Sequence, residues 1–150
     1  MSNDAGMQAS ELERMFHQKI PITRAMGVSV AGWDGDGLRL TAPLKPNHNH
    51  LGTAFGGSLA AIATLAGYGL VWLELDDSGA HVVVRDAAIR YRKPVRDEIR
   101  ALARRPERGV LDSFREAFAR EGRARIALEV SVEGDGGPSV EFTGTFVALR

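Results

Sequence analysis

The chain contains no cysteine, which excludes a disulfide-stapled fold, a thiolate zinc site and a cysteine nucleophile together. Nor does it carry net charge: nineteen Lys and Arg balance nineteen Asp and Glu, which removes the bulk electrostatic case for nucleic acid. No internal repeat or low-complexity segment is present. A secretory start is missing as well. Met1 to Gly6 is small and polar, without basic residues or an apolar stretch, so a cytoplasmic location is expected. One uncharged run, Leu51 to Leu73, begins with loop-like residues that include Gly52, Gly56 and Gly57. What remains, Leu59 to Leu73, is about 15 residues, short of the roughly 20 that a bilayer requires. A buried core helix is expected there, and no membrane.

What the chain does have is core-forming material. At 44% hydrophobic and 25% charged residues over 150 positions, it suits one globular domain, 1–150, with residues 1–8 expected to be flexible. The charge is unevenly placed: Arg85 to Arg125 holds thirteen Lys and Arg against seven Asp and Glu. Such a segment is either a solvated arginine-rich surface or an edge that faces phosphates or an acidic carrier protein.

Residues 9–20 predict an amphipathic helix, with Ser10 as N-cap, Glu13 three residues on, and Leu12, Met15, Phe16 and Ile20 as the apolar stripe. Pro21 ends it, and a short turn, Ile22 to Met26, closes at Gly27. Strands are predicted at Val28 to Trp33 and Leu38 to Ala42, joined through Asp34-Gly35-Asp36-Gly37. Pro43 and Pro46 then force an extended loop through His50. The next helix, Gly57 to Leu75, is apolar nearly all round, which means burial on most faces. In the strand His81 to Arg92, a period of two puts Arg85, Ala87, Ile89 and Tyr91 on one face. Val84, Asp86, Ala88 and Arg90 fall on the other. A strand Ile99 to Arg104 follows, then a short helix capped by Asp112, carrying Phe114 and Phe118 and ended by Gly122. Ala124 to Val132 alternates cleanly, with Ala124, Ile126, Leu128, Val130 and Val132 inward, and Val140 to Leu149 is the last strand. An apolar helix within a mostly antiparallel sheet predicts an α+β fold, a curved sheet wrapped around a long central helix. Such a sheet leaves its edges open, and pairing of two chains is the natural remedy. A homodimer with adjacent central helices is expected.

The run Asn49-His50-Leu51-Gly52-Thr53-Ala54-Phe55-Gly56-Gly57, entering the central helix, resembles that of the hotdog-fold thioesterases. With Asp86-Ala87-Ala88-Ile89-Arg90-Tyr91-Arg92-Lys93-Pro94, it is most similar to the putative thioesterase domain found at the C-terminus of YiiD-type proteins. The likeness extends over about Ile20 to Arg150. It implies hydrolysis of acyl thioesters carried on coenzyme A or acyl carrier protein, in a dimer or a dimer of dimers. No cofactor is implied beyond the coenzyme A or phosphopantetheine of the substrate itself.

Thioester hydrolysis needs an attacking water, a group to take its proton, and a donor for the developing oxyanion. Gly56 and Gly57 at a helix N-terminus supply unencumbered N–H groups where the helix dipole favours negative charge; equally, two glycines let a loop pass close to the sheet. The resemblance implies that Asn49 orients water or substrate, and that Phe55 replaces the motif's histidine. Asn49 is also a natural Asx-turn residue. His50 could be a base, a substrate contact or a loop histidine bonding backbone. His48 and His50 form a pair without a third ligand, so no metal is expected.

Seven residues after the second glycine, where the resemblance implies an acid, stands Thr64, whose hydroxyl cannot be a general base at neutral pH. Asp86 is the substitute, flanked by Val82, Val83, Val84, Ala87 and Ala88, where an enclosed carboxylate should have a raised pKa. By its period Asp86 shares a face with Val84, whose matching position carries an active-site serine in some relatives. The alternative is a structural ion pair with Arg85 or Arg90. The expected catalytic set is therefore Asp86, Asn49, His50, Gly57 and Thr64. The expected substrate contacts are Phe55, Gly56, Val84, Ala88, Arg90 and Tyr68. With no helix acid, a module that binds acyl thioesters without cleaving them is the competing reading.

Overall fold

The alternation read along the chain becomes one mixed layer of helix and sheet in the computed structural model, which describes residues 2–150 and side chains from Asp4 onward. The order is α1 (Ser2–Lys19), α2 (Pro21–Met26), β1 (Ser29–Asp34), β2 (Gly37–Ala42) and α3 (Gly56–Leu75). It continues with β3 (His81–Tyr91), β4 (Ile99–Arg104), α4 (Arg108–Glu121), β5 (Arg123–Val132) and β6 (Val140–Leu149). Every strand pair is antiparallel, in the spatial order β1-β2-β4-β5-β6-β3. This is the α+β architecture expected, a curved sheet around a central helix.

The inward residues of β5 are those the alternation assigns: Ala124, Ile126, Leu128, Val130 and Val132 are all buried. With Phe142, Phe146 and Ala148 of β6 and Leu38 and Leu40 of β2, they form the surface on which α3 lies. The helix is 20 residues long, five more than the uncharged stretch read as helix from the sequence, and so long enough to cross a bilayer. Its apolar character is spent inside the fold instead. Ile62, Ala63, Ala66 and Leu70 are fully buried.

Close packing has a specific requirement at Gly67. A Cβ built there would drive into the ring of Phe146, itself fully buried. The helix's only charge, Glu74, is buried near its last turn. Its carboxylate meets Arg105 at 2.7 Å and is also bonded by Arg115 of α4, whose Nε donates to the Glu74 carbonyl at 3.1 Å. One carboxylate thus ties the end of α3 to α4 and to the chain leaving β4. Burial pushes its pKa above the usual carboxylate range, against the opposing pull of Arg105 and Arg115.

Several expectations are corrected. The first helix begins at Ser2 rather than at a Ser10 cap, and Glu13 is used elsewhere: its Oε1 accepts the N–H of Val30 at 2.7 Å. His17 Nε2 lies 2.7 Å from the carbonyl of Val28. Helix α1 thus bonds the outer edge of β1 where it begins, at Val28 and Val30, and β3 is the longer open edge of the sheet. Helix α4 starts one turn before Asp112, which sits inside it and pairs with Arg115 at 3.5 Å.

The largest correction lies in β3. Val84 stands opposite Phe146 and Asp86 opposite Thr145, so two steps on β3 match one on β6. This is a bulge, and it reverses the side-chain phase. Cross-strand partners share a face. Val82, Val84, Ala87, Ile89 and Tyr91 therefore lie on the side of inward Ala148, Phe146, Gly144, Phe142 and Val140, while Asp86, Ala88 and Arg90 lie on the outer side.

Two outcomes are expected. Gly67→Ala gains about 1 kcal/mol of helix propensity but overpacks Phe146 at a cost of about 1–3 kcal/mol; a net loss of stability should appear in urea denaturation. For Glu74 the raised pKa means that folding favours the neutral acid, so its contribution falls as pH climbs through the interval above about 4.5. Relative to Glu74→Gln, the wild type should lose stability as pH rises above about 4.5, read as the difference in unfolding free energy at each pH.

Candidate functional site

The loop before α3 is held by two asparagines. Asn47 is 2% exposed, and its Nδ2 donates to the carbonyls of Met26 and Pro43, both at 2.8 Å. Its backbone carbonyl accepts the N–H of Phe55 at 2.7 Å. Asn49 braces the loop tip: Oδ1 accepts the N–H groups of Leu51 and Thr53, and Nδ2 donates to the Thr53 hydroxyl. The side chain is thus engaged as an Asx turn, the structural alternative for this residue. His50 is exposed at the same tip, and His48 Nδ1 lies 2.8 Å from the Asn49 carbonyl. No group of three or more His, Cys, Asp and Glu side chains able to hold a metal occurs among the described residues.

This loop delivers the chain to α3 with Phe55 as N-cap and no side-chain cap. The first-turn N–H groups of a helix lack intrahelical partners. Here they open beside Gly57, which is exposed, and Gly56, which is half-buried. A Cβ at Gly57 would strike the Phe55 ring, and one at Gly56 would touch Tyr91 at 3.6 Å. The Tyr91 hydroxyl donates to the Gly56 carbonyl at 3.2 Å. The helix N-terminus, Phe55 and Tyr91 thus form one cluster at the end of β3.

From there a partly exposed stripe, Gly57, Ala60, Ala61 and Thr64, descends α3. Val84, Ala87 and Tyr91, all exposed, lie on the helix side of β3. Thr64 donates its hydroxyl to the Ala60 carbonyl at 2.8 Å. Tyr68, one turn on, packs against Phe16 of α1 with ring centroids 6.1 Å apart, and burial pushes its phenol pKa up, so it remains protonated.

The expected set therefore divides. Phe55, Gly56, Gly57, Thr64, Tyr68 and Val84 belong to the helix side of the sheet. Asp86, Ala88 and Arg90 are on the outer side, opposite Thr145, Thr143 and Glu141. The shared face of Val84 and Asp86 is corrected by the bulge between them. The apolar enclosure expected around Asp86 is also absent: its side chain is 71% exposed, with Arg85 at 4.0 Å. No acid occupies the β3 positions that face α3. Sequence reasoning assigned no role to Tyr91 or Asn47. Tyr91 was detectable as a member of the Ala87 and Ile89 face; Asn47 offered no signal, since a buried asparagine and a solvated one look alike in a polar loop.

The family model described as "Putative thioesterase (yiiD_Cterm)" matches residues 9–150. The chain belongs to this YiiD_C family. A protein of unknown function from Chlorobaculum tepidum is 37% identical, with 95% of this chain and 94% of that one covered at a TM-score of 0.89. A structure titled as a putative thioesterase from Shewanella oneidensis is 31% identical, covering 97% and 99% at 0.86. A thioesterase from Haemophilus influenzae, 15% identical with 95% and 90% covered, shares the fold at 0.67. The fold is thus the hotdog of the thioesterase superfamily, and the family context is that of thioester hydrolases.

One consequence of the loop geometry is measurable. Asn47→Ala strands the buried carbonyl of Met26 and removes a second bond to Pro43, and should cost about 1–3 kcal/mol, seen as a lower denaturation midpoint.

Proposed function

We propose that this YiiD_C protein hydrolyses acyl thioesters of coenzyme A or an acyl carrier protein, with the thioester carbonyl at the N-terminus of α3. The observation that carries the reading is the uncapped helix start at Phe55, Gly56 and Gly57. It combines free N–H groups with the positive end of a 20-residue helix. In the reaction, the carbonyl oxygen accepts from the first-turn N–H groups, water adds to the carbon, and the oxyanion that develops is held there. The intermediate then collapses and expels the thiolate, which takes up the proton that the attacking water gives up. The Tyr91 oxygen, with its proton committed to the Gly56 carbonyl, is an acceptor that can orient the water. The acyl chain would run along Gly57, Ala61 and Thr64, where small side chains leave room.

Asp86, the carboxylate favoured by the sequence pattern, faces away from this groove in its own chain. The acid-free face supports a second reading, a module that holds acyl thioesters without cleaving them. Turnover on a panel of acyl-CoA and acyl-carrier substrates separates the two; tight binding with no hydrolysis favours the module. For the hydrolase, Gly57→Pro removes one donor that no intrahelical bond uses, and kcat should fall by about 10²–10³. Gly57→Ala controls for the added Cβ and should fall less. Asp86→Asn should retain turnover within about tenfold of wild type; a loss of 10² or more would restore Asp86 as the base.

The protein is also proposed to act as a homodimer paired along β3. Support comes from the asymmetry of the sheet: α1 bonds the start of the β1 edge at Val30, whereas β3 leaves eleven residues unpaired on one side, with Val83 49% and Val84 41% exposed. Light scattering at micromolar concentration should give twice the mass of one chain. A monomeric mass would refute the pairing.

A further inference from the structure

The basic segment noted in the sequence converges, in part, on one place. A groove of about 880 Å³ runs between α4 and β5, within the range of small-molecule sites. Val110, 47% exposed, gives it an apolar lip above the buried Phe114 and Ile126, and Glu121 is the one carboxylate among its lining residues. Arg123 and Arg125 stand on the outer side of β5, where the strand alternates exposed and buried. Arg85 joins them from the β3 bulge. Among the described residues, Arg123 and Arg125 have no carboxylate within 4.0 Å, and Arg85 reaches only Asp86, at 4.0 Å. Other arginines are compensated: Arg39 meets Asp34, Arg92 meets Glu141, Arg105 meets Glu74 and Arg150 meets Asp77.

Three guanidinium groups gathered at one groove repel each other unless an anion sits among them. Each is a planar fork that matches phosphate oxygens two at a time. One phosphate does not need three such forks, whereas a ligand with several phosphates does. Arginine also stacks on flat rings, and exposed Val110 supplies an apolar surface beside a base. The concave, helix-walled shape suits a small ligand better than a protein surface.

We propose that this groove binds a nucleotide bearing two or more phosphates, with Arg85, Arg123 and Arg125 on the phosphates and the base against Val110. The arginines of β5 lie on the face of the sheet opposite α3, so the site stands independently of the hydrolase reading. A free nucleotide and the nucleotide half of coenzyme A share the required chemistry.

The test is calorimetry on the full chain with ADP, adenosine 3′,5′-bisphosphate, coenzyme A and inorganic phosphate. Saturable binding of at least one nucleotide, tighter than phosphate, is expected. Arg123→Gln and Arg125→Gln should each weaken it about tenfold. Arg96→Gln, the same charge change at an exposed position elsewhere, should leave it unchanged. Matching thermal melts would establish that the variants fold. Coenzyme A competing with the bisphosphate identifies the source as coenzyme A; ADP binding that coenzyme A does not displace identifies a free nucleotide. The proposal is overturned if no nucleotide binds saturably, if Arg96→Gln weakens binding as much, or if an acidic peptide binds where nucleotides do not.

Discussion

A 20-residue helix with a single charge, Glu74, cannot face water along its length, and the remaining structure answers that constraint. The sheet curls because it must cover α3 on several sides, which explains why β2, β4, β5 and β6 all turn alternate residues inward. The helix approaches closely only where its own side chains are small, as at Gly67 against Phe146. The one charge it carries is buried, so Arg105 and Arg115 must come to it. At the other end, burial leaves the first turn to emerge beside a loop that provides no capping side chain. The site and the core are two results of one packing problem.

Much of this was legible in the sequence. The termini of β4 and β6 fall where alternation and flanking turns put them, and β5 is inward at each assigned position. The phase of β3 was not legible. Val82, Val83 and Val84 are apolar at three consecutive positions, and such a run carries no information about which face is which. An added residue within it changes no hydrophobic pattern, yet it sends Asp86 to the far side of the sheet. The start of α1 was hidden for a different reason. Ser10 and Glu13 fit a capping box, but Glu13 is bonded to Val30, seventeen residues away. Local spacing cannot show a partner at that separation.

The candidate site was half legible for the same reasons. The Gly56-Gly57 pair announces a helix start, because the residues around it change from loop-like to apolar at that point. Asn49 offered two readings, and the geometry uses it as a brace. Tyr91 sits thirty-five residues from Gly56, which it touches through its hydroxyl. Only the folding of β3 alongside α3 makes them neighbours, so no motif could have joined them.

The hydrogen bonds that α1 lends to β1 have a further consequence. A sheet with two exposed edges can add copies at both, and nothing then limits the number of copies that follow. Here Glu13 already occupies the N–H of Val30, and His17 the carbonyl of Val28. The β1 edge is thus obstructed where it begins, and β3 is the longer edge left open. Association through β3 uses that edge in both participants, and the two side chains α1 sets at the start of β1 weigh against growth from the other side.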